Sequence, residues 1–333
     1  MRRGGIMQRK EEGRVWRTGA AAAMSAFVVL GLAACGGDDA PAATAGSNSG
    51  GQSPAGITVD GTSKTVAADQ NNEVAVMAPP MPDNKYGEVS QTGLSMAKLA
   101  ASALSEAAPG AYTGFKSDKG FELTRGVVTD LAGNGQYAIG RWTDGTDTSG
   151  AVYNKNQGRM WAVGTPLNIE LTADRPLNCH LEAATSPVAL NGNTAPGKLE
   201  TATASARVAQ AKGDSILNTD IDLNLGYSIG QDAKRSFEIH TTSIGAQGYM
   251  TSRSGGYTIV TRMVGKDENA PYWLLSYTFD APTTGTISGV AALACTRSAV
   301  QTPDQSAQSD QSDASADPQR PPSGRGVPIP ASS

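Results

Sequence analysis

From Leu199 to Phe279, apolar and polar residues alternate in strand-length stretches. Leu217, Thr219, Ile221, Leu223 and Leu225 are interleaved with Asn218, Asp220, Asp222 and Asn224. Ala202, Ala204, Ala206 and Val208 are interleaved with Thr201, Thr203, Ser205 and Arg207, and Trp273, Leu275, Tyr277 and Phe279 repeat the pattern. Successive side chains leave a strand on opposite sides, so period two buries one face and wets the other. Strand candidates are Leu177–Leu190, Leu199–Gln210, Ile216–Ile229, Arg235–Thr242, Gln247–Arg253, Tyr257–Val264, Tyr272–Phe279 and Thr286–Arg297. Hairpin-length turn signals such as Lys212-Gly213-Asp214 and Gly230-Gln231-Asp232 separate them. The expected fold is mainly β: an eight-stranded antiparallel up-and-down barrel over residues 173–300, whose closure removes sheet edges.

The cysteines test that closure. Cys179 falls in the first strand and Cys295 in the last, 116 residues apart. A disulfide needs Cα atoms about 4.4–6.8 Å apart, and paired strands lie about 4.8 Å apart. The bond Cys179–Cys295 is therefore open to a closed barrel and closed to an open meander. An interior of this size is filled by side chains or holds one small ligand. Small alanines facing Trp273, Phe279, Ile221 and Tyr257 favour a filled one.

Upstream, residues 86–172 read as a small handle-like sheet with one short helix. Leu94, Ala97, Ala101, Leu104 and Ala108 recur at helical spacing before Pro109-Gly110. Strands are expected at Phe121–Leu131, Gln136–Thr143, Ala151–Asn154 and Arg159–Val163, with Trp142 and Trp161 as the sheet's apolar centre or, alternatively, as surface anchors. Residues 35–85, rich in Gly, Ala, Ser, Asn and Pro, read as a flexible tether, and residues 301–333 as a disordered tail.

The first 17 residues carry Arg2, Arg3, Arg9, Lys10, Arg14 and Arg17, and an apolar run from Ala20 to Leu32 follows. That is the layout of a signal peptide over residues 1–34, too short to span a bilayer comfortably. Leu32-Ala33-Ala34-Cys35 resembles the lipobox of bacterial lipoproteins, in which the cysteine is acylated and becomes the new N-terminus. The resemblance implies lipidation at Cys35 and attachment to the bilayer. Gly36 follows, where many inner-membrane lipoproteins carry aspartate, which implies the outer membrane. Removing residues 1–34, with six basic and two acidic side chains, takes the formal net charge from −4 to −8. An acidic body disfavours nucleic acid as a partner.

The layout as a whole resembles the lipoproteins related to transferrin-binding protein B and factor H-binding protein. The likeness is carried by Gly140-Arg141-Trp142-Thr143, Trp161-Ala162-Val163-Gly164-Thr165-Pro166, Gly197-Lys198-Leu199 and Asp220-Ile221-Asp222-Leu223. It implies a lipid-anchored, non-enzymatic protein whose loops bind a host or envelope macromolecule. There is one handle–barrel unit and no glycine–aromatic–glycine barrel signature, so transferrin binding does not carry over. The alternative is a periplasmic, lipocalin-like carrier of a small apolar ligand.

Enzymatic chemistry finds little support. His180 and His240 both lie in strand-like alternation, and two separated histidines supply no metal cluster. No cofactor is expected. Asp220 and Asp222 share a strand face, where solvated outer-face residues are the simpler reading. Candidate binding residues are the hairpin tips Asp144, Asp147, Lys155, Asp232, Lys234, Arg235, Lys266 and Asp267, since loops on rigid scaffolds carry binding groups.

Overall fold

The computed structural model describes residues 56–79, 93–210, 217–244, 250–254 and 256–298. They form two curled sheets. The first comprises β1 (Ile57–Gly61), β2 (Glu73–Ala78), β3 (Leu94–Ala100), β4 (Leu104–Ala108), β5 (Ala111–Phe115), β6 (Phe121–Gly133), β7 (Tyr137–Asp147), β8 (Val152–Tyr153) and β9 (Arg159–Gly164). Its order is β3-β2-β9-β7-β6-β5-β4, with β8 on β7 and β1 added parallel to β6.

The second sheet comprises β10 (Leu177–Ala184), β11 (Val188–Ala189), β12 (Lys198–Gln210), β13 (Leu217–Ile229), β14 (Asp232–Ile244), β15 (Met250–Ser254), β16 (Tyr257–Val264), β17 (Tyr272–Ala281) and β18 (Gly285–Arg297). Its order is β14-β13-β12-β10-β18-β17-β16-β15, with the short β11 on β18. The mainly-β architecture expected from alternation is present. First and last long strands are neighbours, and Cys179 stands opposite Cys295 in the β10–β18 register. Their sulfurs are bonded across a Cα separation of 4.0 Å.

Among the described residues closure is nevertheless incomplete, and no ladder joins β14 to β15, although they are consecutive. Aromatic rings bridge that seam from inside: Phe237 of β14 stacks on Phe279 of β17 at 4.0 Å and meets Tyr257 of β16 at 5.8 Å.

Alternate residues of the second sheet point inward and make one core, including Leu177, Ala202, Ile221, Leu225, Ile259, Trp273, Phe279 and Ile287. Tyr277 fits this core because its neighbour is Gly289, where a Cβ would stand 2.3 Å from the tyrosine hydroxyl. The first sheet has its own core around Trp142 and Trp161, both fully buried. Trp142 stacks on Phe115 at 5.8 Å and donates its indole N–H to the Tyr112 carbonyl at 2.8 Å, while Tyr112 meets Trp161 edge-on. These tryptophans are the sheet's centre and not surface anchors.

A third cluster lies between the sheets, where Met77, Tyr137, Ile139 and Ala162 meet Val188, Val260, Leu274 and Val290. A Cβ at Gly164 would stand 2.5 Å from Val264, so the backbones approach closely here. Polar rivets flank the contact. Asp130 accepts from Arg141 Nε at 2.7 Å and from the Ser186 N–H at 3.0 Å, and Asn134 donates to the Tyr272 hydroxyl at 2.8 Å.

Two expectations need correction. The helix across residues 94–108 is instead β3, a 3-10 turn at Ala101–Ala103, and β4. Period two wins because Ala97 and Leu99 reach the first core while Met96 reaches the inter-sheet cluster. The proposed tether over residues 35–85 contains β1 and β2, and Val74 to Ala78 are buried. That run is apolar on both faces and serves two cores at once. The signal segment, Cys35 and residues 301–333 lie outside the described residues.

Candidate binding surface

The hairpin tips divide into three groups. Asp144, Lys155, Lys234 and Arg235 are exposed and belong to one rim. Hydrogen bonds run from loop to loop along it. The Thr143 hydroxyl donates to the Asn154 carbonyl at 2.8 Å, Gln157 donates to the Leu190 carbonyl at 2.9 Å, and Asn156 donates to the Gly192 carbonyl at 3.2 Å. Further along, a Cβ at Gly230 would meet Thr194 at 3.0 Å and Thr284 at 3.1 Å. The tips are therefore backed by fixed backbone. Asp144 and Lys234 both have positive φ, 47° and 50°, and the Lys234 N–H donates to Ser228 Oγ at 2.8 Å.

Lys266 and Asp267 are exposed at the other end of the second sheet, in the β16–β17 turn. The Lys266 N–H donates to Gln136 of the first sheet at 3.0 Å, so this end abuts the β6–β7 turn. The candidate residues thus form two surfaces, not one.

Asp147 and Asp232 are not binding tips. Asp147 is buried and pairs with buried Arg159, Nε to Oδ2 at 3.0 Å, with the Tyr153 and Ser149 hydroxyls also donating to it. Arg159 also lies 4.0 Å over the Phe121 ring. Burial raises the Tyr153 pKa, and its bond to Asp147 adds to the effect. Asp232 is buried too, and its Oδ2 accepts the N–H groups of Thr283 and Thr284 at 3.0 and 2.7 Å. Burial works to raise the Asp232 pKa, but these hydrogen bonds outweigh it and hold the carboxyl below its usual range. Polar residues at turns look alike in sequence whether they face water or knit the turn.

The outer face of β12–β14 carries Asp220 and Asp222, as the outer-face reading expects, in a row of cross-strand pairs. Ser205 donates to Asp222 Oδ2 at 3.3 Å, and His240 Nδ1 lies 2.5 Å from Asp222 Oδ1. Serine, aspartate and histidine are neighbours, but the carboxylate stands in the middle, so the imidazole cannot take the serine's proton. The hydrogen bond that the imidazole donates to Asp222 raises the His240 pKa and in turn lowers that of Asp222. Asp220 accepts from Thr242 at 2.8 Å. These are solvated cross-strand pairs. Among the described residues no group of three or more His, Cys, Asp or Glu is placed to hold a metal ion.

Inside the second sheet, the space between Ala204, Leu223, Thr261, Trp273 and Leu293 is a cavity of about 10 Å³. That is room for one water. Compared with protein-family models, curated proteins and solved structures, the chain matches none.

Proposed function

We propose that this chain is a lipid-anchored envelope protein, held to the outer membrane through acylated Cys35, whose body binds a host or envelope macromolecule and performs no catalysis. The observation that carries the reading is the rim of Asp144, Lys155, Lys234 and Arg235, fixed on two sheets that pack as one body. Rigid scaffolds with fixed loops bind partners without a large ordering cost. The resemblance to lipoproteins of the transferrin-binding protein B kind points the same way.

The carrier alternative is disfavoured by the interior. A small apolar ligand needs a pocket of about 300 Å³ or more, and the space that Ala204, Ile221, Leu223, Trp273 and Leu293 leave between them is about 10 Å³.

Two experiments test the reading. Cys35→Ala is expected to move the protein from the membrane fraction to the soluble one; sedimentation with membranes regardless of the substitution overturns the anchor. Protease shaving of intact cells carrying an epitope within residues 301–333 then decides the compartment. Loss of the epitope directs the partner search outside the cell, and protection until permeabilisation directs it to the periplasm.

A further inference from the structure

Among the described residues the first sheet is also unclosed, and its seam holds a pocket. Its edge strands, β3 and β4, are consecutive and joined by the Ala101–Ala103 turn, with no ladder between them among the described residues. Where they part, Thr65, Val66, Val74, Ala101, Leu104, Glu106 and Tyr112 line a half-open pocket of about 220 Å³. A cavity of about 150 Å³ already suffices to bind benzene.

The walls are apolar apart from one end. There the Glu106 carboxylate accepts from Thr65 Oγ1 at 2.9 Å and from the Gly110 N–H at 3.3 Å, which fixes its direction. Beside it the buried Tyr112 hydroxyl accepts the Val66 N–H at 3.0 Å. Among the described residues Glu106 forms no ion pair with lysine or arginine. A half-buried carboxylate without a counter-cation, at the end of an apolar pocket, is complementary to a cation on a compact apolar body.

We propose that this seam pocket is a binding site for a small amphiphilic amine, its ammonium on Glu106 and its apolar part between Val66, Val74 and Leu104. The proposal is independent of the anchoring and rim-binding reading. Benzylammonium is the probe, with benzyl alcohol as its neutral counterpart, titrated into the 15N-labelled mature protein. Saturable shifts of the Val74, Leu104 and Tyr112 amides are expected, with the ammonium binding more tightly. Glu106→Gln should weaken benzylammonium about tenfold or more and leave benzyl alcohol within about threefold. Leu104→Trp fills the pocket without touching the partners of Glu106 and should abolish both. Absence of saturable shifts in the native protein, or benzylammonium affinity unchanged by either substitution, overturns the proposal.

Discussion

Arg159 and Asp147 form an ion pair in which neither side chain reaches solvent, with side-chain exposures of 1% and 0%. Tyr153, Ser149 and the Phe121 ring complete the shell around them. Breaking such a pair from one side strands a buried charge. Asp147→Ala should therefore cost about 3–5 kcal/mol, and Asp147→Leu combined with Arg159→Met should cost less than either single change. Urea unfolding of the single and double variants checks this. A double variant as unstable as the sum of the singles would count against a coupled pair.

The Cys179–Cys295 bond joins positions 116 residues apart. In the chain-entropy model a loop of this length contributes about 4–5 kcal/mol, an upper figure. Cys179→Ser, or reduction of the native protein, is expected to lower the unfolding free energy by about 2–4 kcal/mol and to leave membrane attachment unchanged. Melting curves with and without reductant provide the measurement, and coincident curves would contradict the prediction.

Asp232 is held below its ordinary pKa by the threonine N–H groups despite burial. A depressed folded pKa means stability that is present above the unfolded value, near 3.9, and lost as pH falls through the folded one. Asp232→Asn should thus destabilise at neutral pH by about 1–3 kcal/mol. The gap to the native protein should narrow below about pH 4. Chemical denaturation at several pH values decides it, a pH-independent gap being the contrary result.

His240 and Asp222 are both well exposed, so their pairing is a titration feature rather than a prop of the fold. The raised His240 pKa favours the folded state at low pH, an effect lost as pH rises through it; the lowered Asp222 pKa acts in the opposite sense. The pair is intact between the two. Asp222→Asn should shift the His240 imidazole titration to lower pH when followed by NMR. An unmoved midpoint would refute the assignment of Asp222 as the cause.

In the second sheet β12 and β13 were the most legible strands because each buries one face: Leu223, Leu225 and Tyr227 enter the core while Asp222 and Asn224 face out. In the first sheet β2 was hidden for the opposite reason. Val74 and Val76 enter one core while Ala75 and Met77 enter another, so β2 shows no alternation. Alanine spacing in β3 and β4 fits a helix as well as a strand, and only tertiary contacts choose. Asp144, Lys155, Lys234 and Arg235 were recognisable as turn residues, but nothing in their spacing revealed that distant loops share a rim. Asp130 gave no signal at all, since its role depends on Arg141 of β7 and Ser186 of the β10–β11 loop arriving from distant parts of the chain.

The position of the seam has a kinetic meaning. Because β14 and β15 do not pair among the described residues, the second sheet divides there into two four-stranded halves, β10-β12-β13-β14 and β18-β17-β16-β15, joined laterally through β10 and β18. Within each half the chain pairs with segments nearby in sequence, whereas the β10–β18 ladder spans most of the sheet and carries its largest loop-closure cost. The halves are thus expected to assemble first and to search for each other last. The disulfide sits on the one junction where that search ends, so an oxidised chain begins refolding with its slowest encounter already made.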